Sequence, residues 1–364
     1  MTFHASRALF SLTTLALAAL GTADTLRIAT WNVSDYRGTN VADVTNAVYG
    51  SFNGRSMSPD VILAQEIQSA TAATAFVAAL NASVGGPRDW AASYRPLTGT
   101  STSNDAVVFY RTSKVSITGA PTLVLGKTDL TPRDIARWDF SLATATGSEA
   151  LSFYDVHLKS DSSSNARRKE ATDAIRADAA KLAAGTNFIL GGDLNVQGSS
   201  QTAYQSLVGG AAAGKFYDPI NSPGDWNNNK AFEFIHTQDP SGPGGMDDRH
   251  DQLLISGSLR DGQGLDYVGS STLAYSTTTW NDPNHSYRAW GNDGTTYGTS
   301  IATTTNTMVG PSIANSLKTL AGTAGGHLPV FLDLRYTPQA VPEPGTFAAL
   351  GLGALALLKR RRKA

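Results

Sequence analysis

Asn187-Phe188-Ile189-Leu190 runs straight into Gly191-Gly192-Asp193-Leu194-Asn195-Val196, and this stretch constrains the chain more than any other. A short apolar run bounded by glycine reads as a buried strand. Two glycines at its end let backbone approach a neighbour that bulkier residues would hold off. Asp193 and Asn195 lie two apart, so in strand geometry both side chains leave one face. An ionised acceptor then stands beside an amide that both donates and accepts. The pair suits hydrolysis, with the carboxylate drawing a proton from water and the amide steadying an oxyanion. The same residues also suit a plain polar turn. The rest of the chain has to separate the two.

The chain has 364 residues, enough for one large or two ordinary domains. Cysteine is absent, which excludes disulfides, thiolate metal sites and a cysteine nucleophile. Any metal must sit on oxygen or imidazole ligands. The formal charge of −1 hides an acidic body. Residues 1–23 and 341–364 hold six of the 29 bases and one of the 30 acids, which leaves 23 against 29, or −6, between them. Such a body is a poor general binder of duplex DNA, because that affinity comes from neutralising phosphates. A local basic cleft stays open.

The ends read as sorting segments. His4 and Arg7, the apolar stretch from Ala8 to Leu20 and the small residues Gly21-Thr22-Ala23 form a secretory signal over 1–23. At the other end Val341-Pro342-Glu343-Pro344-Gly345 leads into an apolar run, Thr346 to Leu358, and then Lys359-Arg360-Arg361-Arg362-Lys363. Those thirteen apolar-run residues cover about 20 Å as a helix, short of a ~30 Å hydrocarbon core. The basic cluster holds that end on the cytoplasmic side. The tail resembles the PEP-CTERM sorting signal of Gram-negative bacteria. That resemblance implies export, transient membrane insertion through the C-terminal helix and processing by an exosortase. The main body is then outside the cytoplasm: in the periplasm or cell envelope, or extracellular, with a C-terminal membrane anchor before processing.

Between the ends, strands are expected at Leu26 to Asn32, Val61 to Glu66, Asp105 to Tyr110, Arg133 to Ala143, Leu151 to Leu158, His250 to Ser256 and Leu328 to Leu334. Ser69 to Ala82 reads as a helix that Ser69 caps. A second helix is expected from Ser163 to Ala184, stopped by Gly185, with Ala171, Ile175, Ala179 and Leu182 as its apolar stripe. Arg167, Arg168 and Lys169 fall off the stripe and read as a solvated face. Gln201 to Gly245 and Ser258 to Gly325 are polar and read as loops with edge strands. Strands outnumber helices and many are not separated by them. This favours an α+β fold of stacked mixed sheets with helices outside. With no linker in sight, 24–336 is expected to be one domain and 337–364 the tail.

Several strand ends finish on residues suited to metal and phosphate chemistry: Trp31-Asn32, Gln65-Glu66, His157, Asp193 with Asn195, and His250-Asp251. His327 opens the last strand. In this order Trp-Asn at 31–32, Gln-Glu at 65–66, His-Leu-Lys-Ser at 157–160, Gly-Asp-Leu-Asn-Val at 192–196, Asp-Gln-Leu-Leu-Ile-Ser at 251–256 and His-Leu-Pro-Val at 327–330 resemble the endonuclease/exonuclease/phosphatase family. These are metal-dependent phosphoesterases related to DNase I, and the resemblance spans nearly the whole body. It implies a four-layer α/β/β/α sandwich of two mixed sheets, DNase I-like, with the site at one rim. It implies Glu66 as the main ligand of a divalent cation, Mg²⁺ or else Mn²⁺ or Ca²⁺, with Asn32 beside it. Asp193 would position or deprotonate water, and Asn195 would hold phosphoryl oxygens. His327 would contact the phosphate, with Asp251 fixing its tautomer, and His157 would face the phosphate or leaving group. Arg133 matches a phosphate-clamping arginine, with Arg137 the competing choice.

One departure stands out. The family carries Ser-Asp-His before Leu-Pro, whereas this chain has Gly325-Gly326-His327. Gly326 removes a carboxylate that helps hold metal; Asp247 and Asp248 are candidate substitutes, and tighter metal dependence in Gly326→Asp would show that the missing carboxylate is a real deficit. The expected function is a secreted, metal-dependent, nuclease-type phosphodiesterase. Its partners would be a phosphoester substrate, extracellular nucleic acid among the options, and it would act as a monomer. Trp226, in a polar loop, either stacks on a base or sugar or packs inside. The alternatives are a catalytically impaired member kept as a surface or biofilm-matrix protein, and a carbohydrate-binding module.

Overall fold

The computed structural model describes residues 23–95, 105–126, 133–242, 244–323 and 325–339. The secretory signal and the PEP-CTERM tail fall almost wholly outside that range. In chain order the elements are β1 (Asp24–Tyr36), α1 (Val41–Tyr49), β2 (Val61–Ile67), α2 (Ala70–Ala82), β3 (Trp90–Arg95), β4 (Asp105–Arg111), β5 (Val115–Ile117), β6 (Thr122–Leu125), β7 (Ile135–Thr144), β8 (Gly147–His157), α3 (Asn165–Ala179), β9 (Asn187–Asp193), α4 (Thr202–Val208), β10 (Phe216–Tyr217), β11 (Asp251–Ser256), β12 (Asp266–Tyr267), β13 (Arg288–Ala289), α5 (Gly310–Ala321) and β14 (Val330–Tyr336). Among the described residues the strands form two seven-stranded sheets. One runs β12-β14-β1-β2-β4-β3 with β13 on β14, the other β10-β11-β9-β8-β7-β5 with β6 on β7. Both are mixed: β1–β2 and β8–β9 are parallel, while β1–β14 and β9–β11 are antiparallel.

Alternation along the central strands assigns the layers. In β1, Leu26 and Ile28 face the second sheet and meet Trp138, Phe153, Ile189 and Leu253. Ala29, Trp31 and Val33 face the other way, against Val44 and Val48 of α1, Phe76 of α2 and Ile313 and Leu317 of α5. The outer face of the second sheet packs Tyr154, Leu190 and Leu254 on Ile175 of α3 and Leu207 of α4. A period of two buries both faces of each central strand, so the layers are helix, sheet, sheet, helix. This is the four-layer sandwich that the motifs implied.

Ser69 caps α2, its hydroxyl accepting from the Ala72 amide at 3.1 Å. The stripe of Ala171, Ile175 and Ala179 is buried as expected. The helix, however, ends at Ala179, not near Gly185. Beyond it the chain closes three-residue turns, Lys181 to Asp178 and Leu182 to Ala179, leaving Leu182 half-buried outside the helix. Arg168 is a further correction. It is 1 % exposed and donates to the carbonyls of Lys159 and Asp161, so it anchors the loop after β8 instead of joining the solvated face. Helices α1, α4 and α5 were not expected.

Candidate active site

Register brings the chemistry to one end of the sandwich. Asp193, the last residue of β9, pairs with His157 on β8 and with Asp251 on β11. Gly192 just before it has φ +152, and a Cβ there would lie 1.8 Å from the Val156 carbonyl. Only glycine lets β9 and β8 close up so tightly next to Asp193. In the other sheet Asn32 pairs with Gln65, and both pairings lose regular register just beyond, between Asn32 and Tyr36 and between Ala64 and Ile67. Glu66 sits in that irregularity with φ +63. A bulge at positive φ re-aims a side chain at the cost of backbone strain. Here it turns Glu66 toward the rim while Gln65 stays inside, donating to buried Asp155 at 2.6 Å.

The Asp193 carboxylate is the hub. Its Oδ2 lies 3.3 Å from the Asn32 amide, which donates to it, 3.4 Å from His157 Nε2 and 3.6 Å from His327 Nε2. Its Oδ1 accepts from the Asn195 backbone amide at 3.0 Å. Asn32 also donates to Glu66 Oε1 at 3.2 Å, and His157 Nδ1 is 3.7 Å from that oxygen. Behind His327, Nδ1 donates to Asp251 Oδ2 at 2.8 Å, and the Thr237 hydroxyl donates to the same oxygen at 2.7 Å.

The two imidazoles are tuned apart. Burial alone lowers His327, but Asp251, Asp193 and the hydrogen bond to Asp251 together outweigh it and push the ring up to about 10. His157 is held well below its ordinary value, first by burial and then by Arg133 and His327. At neutral pH one ring is a cation and the other neutral. Burial pushes the Asp193 carboxyl up, against the field of His327.

Asn32, Glu66, His157, Asp193 and His327 thus form one chain of contacts, with Asp251 behind. Asn195 is placed differently from its strand-based expectation. The strand stops at Asp193, Asn195 takes φ +50, and its amide donates to the Leu158 carbonyl at 3.0 Å. Arg133 donates to that same carbonyl at 3.2 Å and feels Asp193 and Glu66. Arg137 is engaged elsewhere, by Asp139 at 2.9 Å and by Asp178. Trp226 is fully buried, its Nε1 donating to the Ser222 carbonyl, so it packs and does not stack on a ligand. Asp247 is buried, and Asp248 accepts from Asn227 at 2.6 Å.

Gly326 has φ +69, and a Cβ there would lie 2.3 Å from the Ala321 carbonyl. An aspartate at 326 therefore requires the Ala321 backbone to shift, so Gly326→Asp is not a clean test of the missing carboxylate. Three supporting roles were not assigned from the sequence. Gln65 and Asp155 tie the two sheets together under Glu66, and Thr237 fixes Asp251. The Asp155 and Gln65 motifs were visible; Thr237 comes from a polar loop without any local signal.

The family model described as the Endonuclease/Exonuclease/phosphatase family matches residues 29–292. The PEP-CTERM protein-sorting motif matches residues 340–363, which marks the chain for export with a C-terminal anchor before processing. The structure is similar to that of the endonuclease/exonuclease/phosphatase from Bacteroides vulgatus, at 10 % identity and TM-score 0.51, covering 85 % of this chain and 98 % of that one. It is similar to humanized D. rerio TDP2 at 14 % identity and TM-score 0.50, with the same coverage of 85 % and 98 %. D. rerio TDP2 complexed with a single-strand DNA product aligns at 13 % identity and TM-score 0.50, over 85 % and 98 %. No curated protein matches. At these identities the structural likeness speaks for the fold, and the family model carries the membership: the chain belongs to the endonuclease/exonuclease/phosphatase family.

Proposed function

We propose that this protein is an exported, metal-dependent phosphodiesterase of nuclease type. The observation that carries the reading is the Asp193 hub, where one carboxylate oxygen meets an amide, a neutral imidazole and a charged imidazole within 3.6 Å. Asp193, raised by burial, positions the attacking water and takes its proton. Charged His327, its ring orientation held by Asp251, donates through Nε2 to a phosphoryl oxygen. Neutral His157 faces the leaving group, and Arg133 and Asn195, fixed on the Leu158 carbonyl, border the phosphate.

Among the described residues no three His, Asp or Glu group together as a metal cage. The donor set still fits a hard cation that keeps most of its water. Glu66 keeps 19 % of its side chain exposed, and Asn32 stands beside it. When bound there, such an ion supplies charge stabilisation to the phosphoryl and leaving oxygens. D. rerio TDP2, with a single-strand DNA product, supports a phosphodiester substrate by analogy of fold alone. The test is hydrolysis of bis(p-nitrophenyl) phosphate with Mg²⁺, Mn²⁺ or Ca²⁺ and with chelator. The expected result is turnover that chelator stops, with Glu66→Gln needing at least about tenfold more metal. No turnover of any diester or monoester with any of these ions would overturn the reading in favour of an impaired surface or matrix protein.

A further inference from the structure

Beside β10, the edge strand of the second sheet, a groove of about 360 Å³ opens between α4 and the loops at 218–223 and 271–272. Lys215 and Arg260 line it, and both stand over the Tyr217 ring, 5.1 and 4.3 Å from its centre. Both are half-buried, and among the described residues neither is paired with a carboxylate. Two cations without a partner carboxylate leave the groove locally positive. One acid, Asp218, also lines the groove, but it is already neutralised. Arg249 holds it through two hydrogen bonds of 2.8 and 2.9 Å, and the Tyr204 hydroxyl donates to it at 3.2 Å. The remaining polar lining, with Ser199, Gln205 and Asn221 in it, supplies neutral hydrogen-bonding groups.

The groove is separate from the Asp193 site. Phe216 pairs with Ser256, at the far end of β11 from Asp251. Five residues of strand put the two about 17 Å apart. We propose that this groove is a second anion site that binds a phosphate-bearing ligand through Lys215 and Arg260. Two unpaired cations match a dianion, and the arginine fork matches phosphoryl oxygens in pairs. In an acidic body this pair is a local attractor for anions. Tyr217 positions both cations by lying under them. The proposal concerns binding, so it stands apart from the hydrolytic reading.

The experiment is calorimetric titration of the full chain in chelator, with inorganic phosphate in one arm and a short single-stranded oligonucleotide in the other. His327→Gln is present throughout to weaken phosphate binding near Asp193. The expected result is that Lys215→Gln/Arg260→Gln weakens binding roughly tenfold or more while Lys215→Arg keeps it. Binding of phosphate alone assigns the groove to a free phosphoryl group; oligonucleotide binding with the same dependence assigns it to a phosphodiester chain. Undiminished binding in the double variant, or no binding of either probe before it is made, overturns the proposal. Should the double variant not fold, each single Gln variant gives the same reading.

Discussion

Asp193 and His327 sit together in a buried site where each carries the consequences of the other's charge. The raised imidazole has a sign that stability measurements can read. A group whose folded value lies above its ordinary 6.5 stabilises the fold fully below about pH 6.5, and that contribution is lost as pH climbs through about 10. His327→Gln should therefore be less stable than the parent chain by the widest margin near pH 6, and the gap should narrow by about pH 10. Urea midpoints for both proteins across that window check it; a gap that widens with pH contradicts the charged ring. Gly326 makes the opposite kind of prediction. Because Ala321 backbone occupies the space a Cβ needs, Gly326→Asp should cost about 2 kcal/mol or more and bring no gain in metal affinity. A folded variant with parent stability and tighter metal binding contradicts that placement.

Among the elements, capping gives a local test. Ser69→Ala removes the hydroxyl that accepts from the Ala72 amide, and should cost about 1 kcal/mol in a denaturant melt without changing activity. Legibility also divides at this scale. The central strands were readable because each is a dense apolar run ending on polar groups, and α2 because Ser69 announces it. Helix α5 was hidden by composition. Its buried face of Ile313, Leu317 and Leu320 has helical spacing, but Ser, Thr and Asn between them read as loop. Helix α1 buries only Val44, Ala47 and Val48, and Asn40 before it makes no side-chain cap. Helix α4 spans only seven residues, too few for periodicity to show. The site was legible where a motif sits on a strand end, as at Glu66, Asp193 and Asp251. Asn195 was misplaced because strand geometry was carried two residues past the strand. Thr237 was invisible because a loop residue's partner is set by tertiary structure alone.

At the scale of the molecule, two mixed sheets stacked face to face bring segments some three hundred residues apart, Asn32 and His327, to one rim. The body is acidic, with 23 bases against 29 acids between the ends. With that net charge it should bind duplex DNA weakly at physiological salt, with a Kd no tighter than about 10⁻⁴ M by fluorescence anisotropy. Micromolar duplex binding would contradict that charge reading. The hub itself is tested most directly by the rate of bis(p-nitrophenyl) phosphate hydrolysis by the full chain and by Asp193→Ala, at matched metal concentration. The expected loss is at least about 10³-fold, since the carboxylate proposed to activate water is also the partner of both imidazoles; equal rates in the two proteins would contradict it.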